Sequence, residues 1–142
     1  MNSQELISTL KSQHLTLQAD LSSALEKAGL GVKDNGEDIV SDLTKFKNDL
    51  LGHLKLEKET FYPDYLDKKI KRGEEIESTK RFINEMEEIA KTVMSFLGKY
   101  SSSEIIGEST AKFSEDLSGI IRVLNMRIES EEDGVFNIYL VM

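Results

Sequence analysis

A single proline, Pro63, and nine glycines are spread over 142 residues. Proline removes an amide donor, and glycine weakens a helix interior by about 1 kcal/mol relative to alanine. A chain this poor in both suits long helices rather than a turn-rich β fold. Its length fits one domain, residues 1–142, with room for a real core. Apolar spacing then places four helices. From about Ser3 to Ala28, Ile7, Leu10, His14, Leu17 and Leu21 recur every three or four residues, which is one helix face. An N-cap is expected near Ser3, and Gly29 and Gly31 end the segment. From about Gly36 or Glu37 to Tyr62, the stripe is Leu43, Phe46, Leu50, His53, Glu57 and Phe61. Pro63 should break or bend this helix, with DYLDKKIKRG adding one or two turns before Gly73.

The third helix is expected from about Glu74 to Tyr100, with Thr79, Phe82, Met86, Ile89, Val93 and Phe96 inward. A loop, SSSEIIG, follows. The fourth runs from about Ser109 to the mid 130s along Phe113, Leu117, Ile120, Leu124, Arg127 and Glu131. Gly134 should weaken its end. The tail VFNIYLVM is apolar and more β-prone, and is expected to pack on the bundle or on a partner. Met86, Met94 and Met126 are expected to fill core. Four amphipathic helices with modest connections give an all-α, up-down-up-down four-helix bundle.

Charge and cysteine content remove several functions. The formal net charge is −8, so a phosphate-binding, nucleic-acid surface is not expected; the acidity serves solubility. No cysteine is present, which excludes disulfides, thiolate metal sites and thiol nucleophiles. The first residues, MNSQELISTL, have no signal-peptide pattern, and no stretch approaches 18 apolar residues. A cytoplasmic protein without a membrane segment is the expectation. No Ser/His/Asp set, phosphate loop or glycosidase-like carboxylate pair occurs, so a hydrolase is not supported.

The informative residues are polar ones on apolar stripes: His14, His53 with Glu57, Thr79, and Arg127 with Glu131. Burying ionisable groups costs several kcal/mol unless they are paired or bound to metal. Two local motifs stand out, HLKLEKETFYPDY from His53 and RIESEEDGVFNIY from Arg127. Each puts a nitrogen-bearing side chain four residues before a glutamate, on the same helix face. Imidazole and carboxylate are suitable ligands for iron, manganese or zinc.

Over essentially the whole chain these motifs resemble the hemerythrin-like (HHE) domains. The resemblance implies a four-helix bundle around a non-haem di-iron centre. It also implies a histidine on helix 1, HxxxE on helix 2, a histidine on helix 3 and a second HxxxE on helix 4, the two glutamates bridging the irons. His14 matches the first position. His53, Glu57 and Phe61-Tyr62-Pro63 match the second, and Glu131, Glu132 and Phe136 match the end of the fourth. Helix 3 has no histidine; Thr79 stands at its inward position, with Lys80 beside it. Arg127 replaces the second motif's histidine. By the resemblance, the lost histidines serve mainly one iron and His14 and His53 serve the other.

Two readings follow. In the first, His14, His53, Glu57 and Glu131 hold one metal ion, iron or alternatively zinc or manganese, and the Arg127 guanidinium stands in for the second cation. A dication, two glutamates and one guanidinium then sum to about +1. In the second, no metal binds and Arg127 pairs with Glu57 and Glu131 in a helical interaction or regulatory protein. A complete di-iron centre is not expected. The first reading implies a binding, sensing or storage module for iron or dioxygen rather than an enzyme. A ferroxidase- or peroxidase-like oxidase would require the ligands that are missing. A protein partner or homodimer fits either reading. The run Lys68, Lys69, Lys71 and Arg72 is taken as a solvated face.

Overall fold

The computed structural model describes residues 1–142 and is helical almost throughout, with no strand. Helix α1 spans Ser3–Leu56 and is two helices joined at one non-helical residue, Gly31, with φ 124° and ψ 109°. That backbone region is open to glycine and strained for any residue with a Cβ. The expected connection around Gly29 and Gly31 is therefore a one-residue break, and helical backbone runs through Gly29. Asn2, rather than Ser3, caps the start: its side chain accepts the Glu5 amide and donates to the Glu5 carboxylate, both at 2.8 Å.

The two arms, residues 3–30 and 32–56, lie antiparallel. His53 meets Gln13, Lys45 meets Asp20, and Asp42 meets Ser23 and Lys27. A π turn, Glu57–Phe61, follows, and α2 continues through Pro63 over Tyr62–Lys71. Pro63 does not end the helix. Upstream, the Tyr62 amide bonds the Glu57 carbonyl five residues back, a local widening beside the position that proline crowds. Helix α3 covers Glu77–Lys99 and α5 covers Thr110–Ser130. The expected loop SSSEIIG instead contains a short helix, α4, Ser103–Glu108, capped by Ser102 and anchored by fully buried Ile106. It rests close to the second arm: a Cβ on Gly36 would sit 2.9 Å from Ser103 Cβ. A second π turn, Glu131–Val135, leads into α6, Phe136–Leu140. The tail is thus helical, not β, and Phe136 and Tyr139 pack it onto the bundle.

The inward stripes form two apolar clusters. The larger, with Leu17, Leu43, Phe46, Val93, Phe113 and Leu124 among its members, fills most of the bundle. The smaller gathers Leu6, Ile7 and Leu10 with Phe61, Tyr62, Tyr65, Phe136 and Tyr139 at the other end. Each fully buried large apolar side chain contributes about 1.5–3 kcal/mol. Met86 is buried and Met94 packs on the larger cluster, but Met126 is 62% exposed and fills no core. No helix is long and apolar enough to cross a membrane.

At the arm interface, Asp20 is buried beside Asp49, with Lys45 reaching both at 2.9 and 2.8 Å. Burial, then hydrogen bonding to Asp49, pushes Asp20 up to about 6. A carboxyl raised from its unfolded value costs stability as pH climbs between the two values, about 4 to about 6. Asp20→Asn is therefore expected to stabilise the fold slightly at pH 7, by less than about 1 kcal/mol, because it also gives up the ion pair with the largely exposed Lys45. The gain should vanish near pH 4, which melting curves at the two pH values would check.

Candidate metal centre

Between the two apolar clusters lies a polar layer. His14 is 1% exposed, His53 4%, Glu57 3% and Glu131 1%, so none of the four is solvated. The two arms supply His14 and His53. Each π turn begins on one of the glutamates, Glu57 or Glu131. A π turn carries an extra residue, which moves the inward stripe on by one position. The buried series therefore reads Glu57, Phe61, Tyr62, Tyr65 on one side and Glu131, Phe136, Tyr139 on the other. The two local motifs seen in the sequence have become two similarly distorted helix segments.

The donor atoms converge. His53 Nε2 lies 2.9 Å from Glu57 Oε1, and His14 Nε2 lies 3.2 Å from Glu131 Oε1. One ligand atom from each of the four residues can be chosen so that all lie within 4.8 Å of one another. His14 Nδ1 is 2.7 Å from Glu132 Oε2, and His53 Nδ1 is 2.7 Å from Gln13 Oε1. A carboxylate and an amide carbonyl accept, so both rings carry a proton on Nδ1 and turn Nε2 inward. The rings meet edge to face with centroids 4.7 Å apart. His14 Nε2 and Glu57 Oε1 are buried without a hydrogen-bond partner. Two orphaned donor atoms facing a shared centre, within a set of two imidazoles and two carboxylates, fit a single transition-metal ion.

The electrostatics agree. Burial, reinforced by the His14 ring, lowers His53 to about 4, which keeps it neutral as a ligand must be. Burial, followed by the charge of Glu131, raises Glu57 well above the carboxylate range. Burial alone would raise Glu131 too. The neighbouring His14 and Glu57 side chains, the Arg127 charge and the Tyr62 hydroxyl outweigh it and hold Glu131 at about 2. The two carboxylates therefore differ in character: burial disfavours charge on Glu57, while the neighbours of Glu131 favour it.

Arg127 is not forked between Glu57 and Glu131. Its Nη1 donates to the Phe82 carbonyl at 2.7 Å and its Nη2 to the Tyr62 hydroxyl at 3.0 Å. The Tyr62 hydroxyl in turn donates to Glu131 Oε2 at 2.6 Å. Direct approach of Arg127 to that carboxylate is only 3.9 Å. The guanidinium lies 3.4 Å from the Phe82 ring centroid, which holds it in place. Glu131 thus turns Oε1 to the His14 side and Oε2 to a phenol backed by a fixed positive charge.

The hemerythrin HHE cation-binding domain family matches residues 5–139. The chain belongs to that family. No curated protein and no solved structure gives a significant match. As a hemerythrin domain it retains His14, His53, Glu57 and Glu131 in one layer, a candidate group for the metal binding that the family name describes. Thr79 is buried and Lys80 exposed, so threonine takes the inward position on α3. Thr79 does not join the four donors; its hydroxyl receives Lys69 Nζ at 3.0 Å. Lys69 is half-buried, so it departs from the solvated face expected for the basic run. Gln13 was not singled out from the sequence, and Tyr62, Lys69 and Glu132 were named there without the contacts they make around this hemerythrin layer. Gln13 and Glu132 each adjoin a ligand in the chain, which was the available signal. Tyr62 reaches Glu131 only because the π turn shifts its register.

Proposed function

We propose that this hemerythrin domain binds one transition-metal ion through His14, His53, Glu57 and Glu131, as a binding or sensing module for iron or a small ligand such as dioxygen rather than as an enzyme. The observation that carries this reading is the pair of buried, unpartnered donor atoms, His14 Nε2 and Glu57 Oε1, facing one centre. Tyr62 and Arg127 take the charge-balancing place of a second ion, hydrogen-bonding the outer oxygen of Glu131. A bound ion would supply Lewis acidity, and for iron a redox couple, inside a layer that excludes water. The protein's own groups supply neutral imidazoles with inward lone pairs and a charged Glu131 of fixed orientation. Binding of dioxygen between two ions is not part of this reading, because Thr79 and Arg127 stand where the resemblance would put histidines.

Elemental analysis of protein purified without chelator or affinity metal tests the proposal. About one equivalent of iron, zinc or manganese is expected, lost in His53→Ala. No metal in the purified chain, together with failure to take up ferrous iron added anaerobically, would sink it.

A further inference from the structure

The two histidines are alike on their inner side and unlike on their outer side. Behind His14 stands the carboxylate of Glu132; behind His53 stands the amide of Gln13, each at 2.7 Å from Nδ1. A carboxylate is the stronger acceptor. It draws the Nδ1 proton, makes the opposite Nε2 a better electron-pair donor and fixes the ring's tautomer and orientation. An amide fixes the tautomer and orientation but polarises the ring little. His14 is also stacked against Phe136, with centroids 5.7 Å apart and rings 8° from parallel, which restrains tilting of the imidazole.

Charge points the same way. A dication, Glu57, Glu131 and Arg127 sum to about +1, and the Glu132 carboxylate 2.7 Å behind a ligand brings the group to neutrality. Glu132 can hold this charge without the burial cost borne by Glu57, because its side chain is 31% exposed while that of His14 is 1% exposed. It is the group that links the dry ligand layer to solvent on the His14 side.

We propose that Glu132 is a positioning residue that sets the affinity of the site for a divalent transition metal by acting through His14, and that Gln13 leaves His53 the weaker of the two imidazole donors. This inference rests on the metal-binding reading above.

The test uses chelator-stripped full-length protein, with zinc affinity measured against a chromophoric competitor and cobalt(II) absorption as the spectroscopic readout. Wild type and Glu132→Gln should both saturate at about one equivalent, with the variant about 10–100-fold weaker. Its cobalt spectrum should shift while its metal-free melting temperature stays close to wild type. Gln13→Glu should bind zinc more tightly than wild type. The swapped double variant, Gln13→Glu with Glu132→Gln, should recover much of the lost affinity, which a merely structural role for Glu132 would not produce. Glu132→Gln affinity within about threefold of wild type would overturn the inference and leave the metal site standing. So would a double variant as weak as Glu132→Gln alone. If Glu132→Gln does not fold, Gln13→Glu decides, and no tightening overturns the inference. If wild type binds neither zinc nor cobalt, the metal reading itself falls and takes this inference with it.

Discussion

Arg127→Ala is expected to cost the metal-free protein about 3–5 kcal/mol, the range for removing one partner of a buried charge group. The melting temperature should fall by on the order of 10 °C. Three losses combine. The Tyr62 hydroxyl loses the donor at 3.0 Å, the Phe82 carbonyl loses one at 2.7 Å, and Glu131 keeps its charge with no cation behind it. The plane above the Phe82 ring also empties. Arg127→Lys should recover only part of the loss, because an ammonium cannot serve the carbonyl and the hydroxyl from one rigid fork. Combining Arg127→Met with Glu131→Gln should recover more than Arg127→Met alone, since the uncompensated charge goes with the carboxylate. Thermal unfolding followed by circular dichroism reads each variant. A melting temperature for Arg127→Ala within about 2 °C of wild type would show that the guanidinium does not balance Glu131.

Phe61→Ala should be of similar size, about 3–5 kcal/mol. Phe61 is fully buried, and its ring touches four others, Tyr62, Tyr65, Phe136 and Tyr139, at centroid distances of 4.7, 5.9, 5.2 and 5.0 Å. It stands where the segments after the two π turns meet, so its loss frees Phe136, on which His14 is stacked. Zinc affinity should therefore fall along with stability. Phe113→Ala provides the comparison. Phe113 is equally buried and packs with Phe96 and Tyr100 in the larger cluster, away from the polar layer. Its replacement should cost comparable stability but leave zinc affinity nearly unchanged. Equal losses of affinity in the two variants would mean that global stability, not the aromatic support, governs the site.

Periodicity made the bundle readable. On all four stripes the residues assigned inward are buried or partly buried, and the polar exceptions His14, His53, Glu57, Arg127 and Glu131 fall in one layer. What escaped the sequence was set by features without a period. A one-residue break at Gly31 looks, from composition, like a loop around two glycines. The helix of SSSEIIG depends on Ile106 finding the core, a tertiary contact that its local propensity does not announce. The β-branched residues of VFNIYLVM read as strand, yet Phe136 and Tyr139 meet Phe61 only as part of a helix. Arg127 was placed at the right depth, and its expected pairing with Glu131 survives only as a 3.9 Å approach. Its fork is taken by Tyr62 and the Phe82 carbonyl, and Tyr62 reaches that point through a register shift that no three-four spacing shows.

The paired π turns give two short stretches of this chain an unusual sensitivity to backbone form. In a regular helix each residue turns the chain by about 100°. If Glu131–Val135 closed into an ordinary helix with all its residues kept, local hydrogen bonding would improve. Everything beyond it would then rotate, taking Phe136 off His14 and Tyr139 off Phe61. The same holds for Glu57–Phe61, where Tyr62 would swing away from Glu131. At these two places the backbone must stay widened to absorb a spare residue, whereas deleting that residue would let the helix close with the downstream side chains still facing inward.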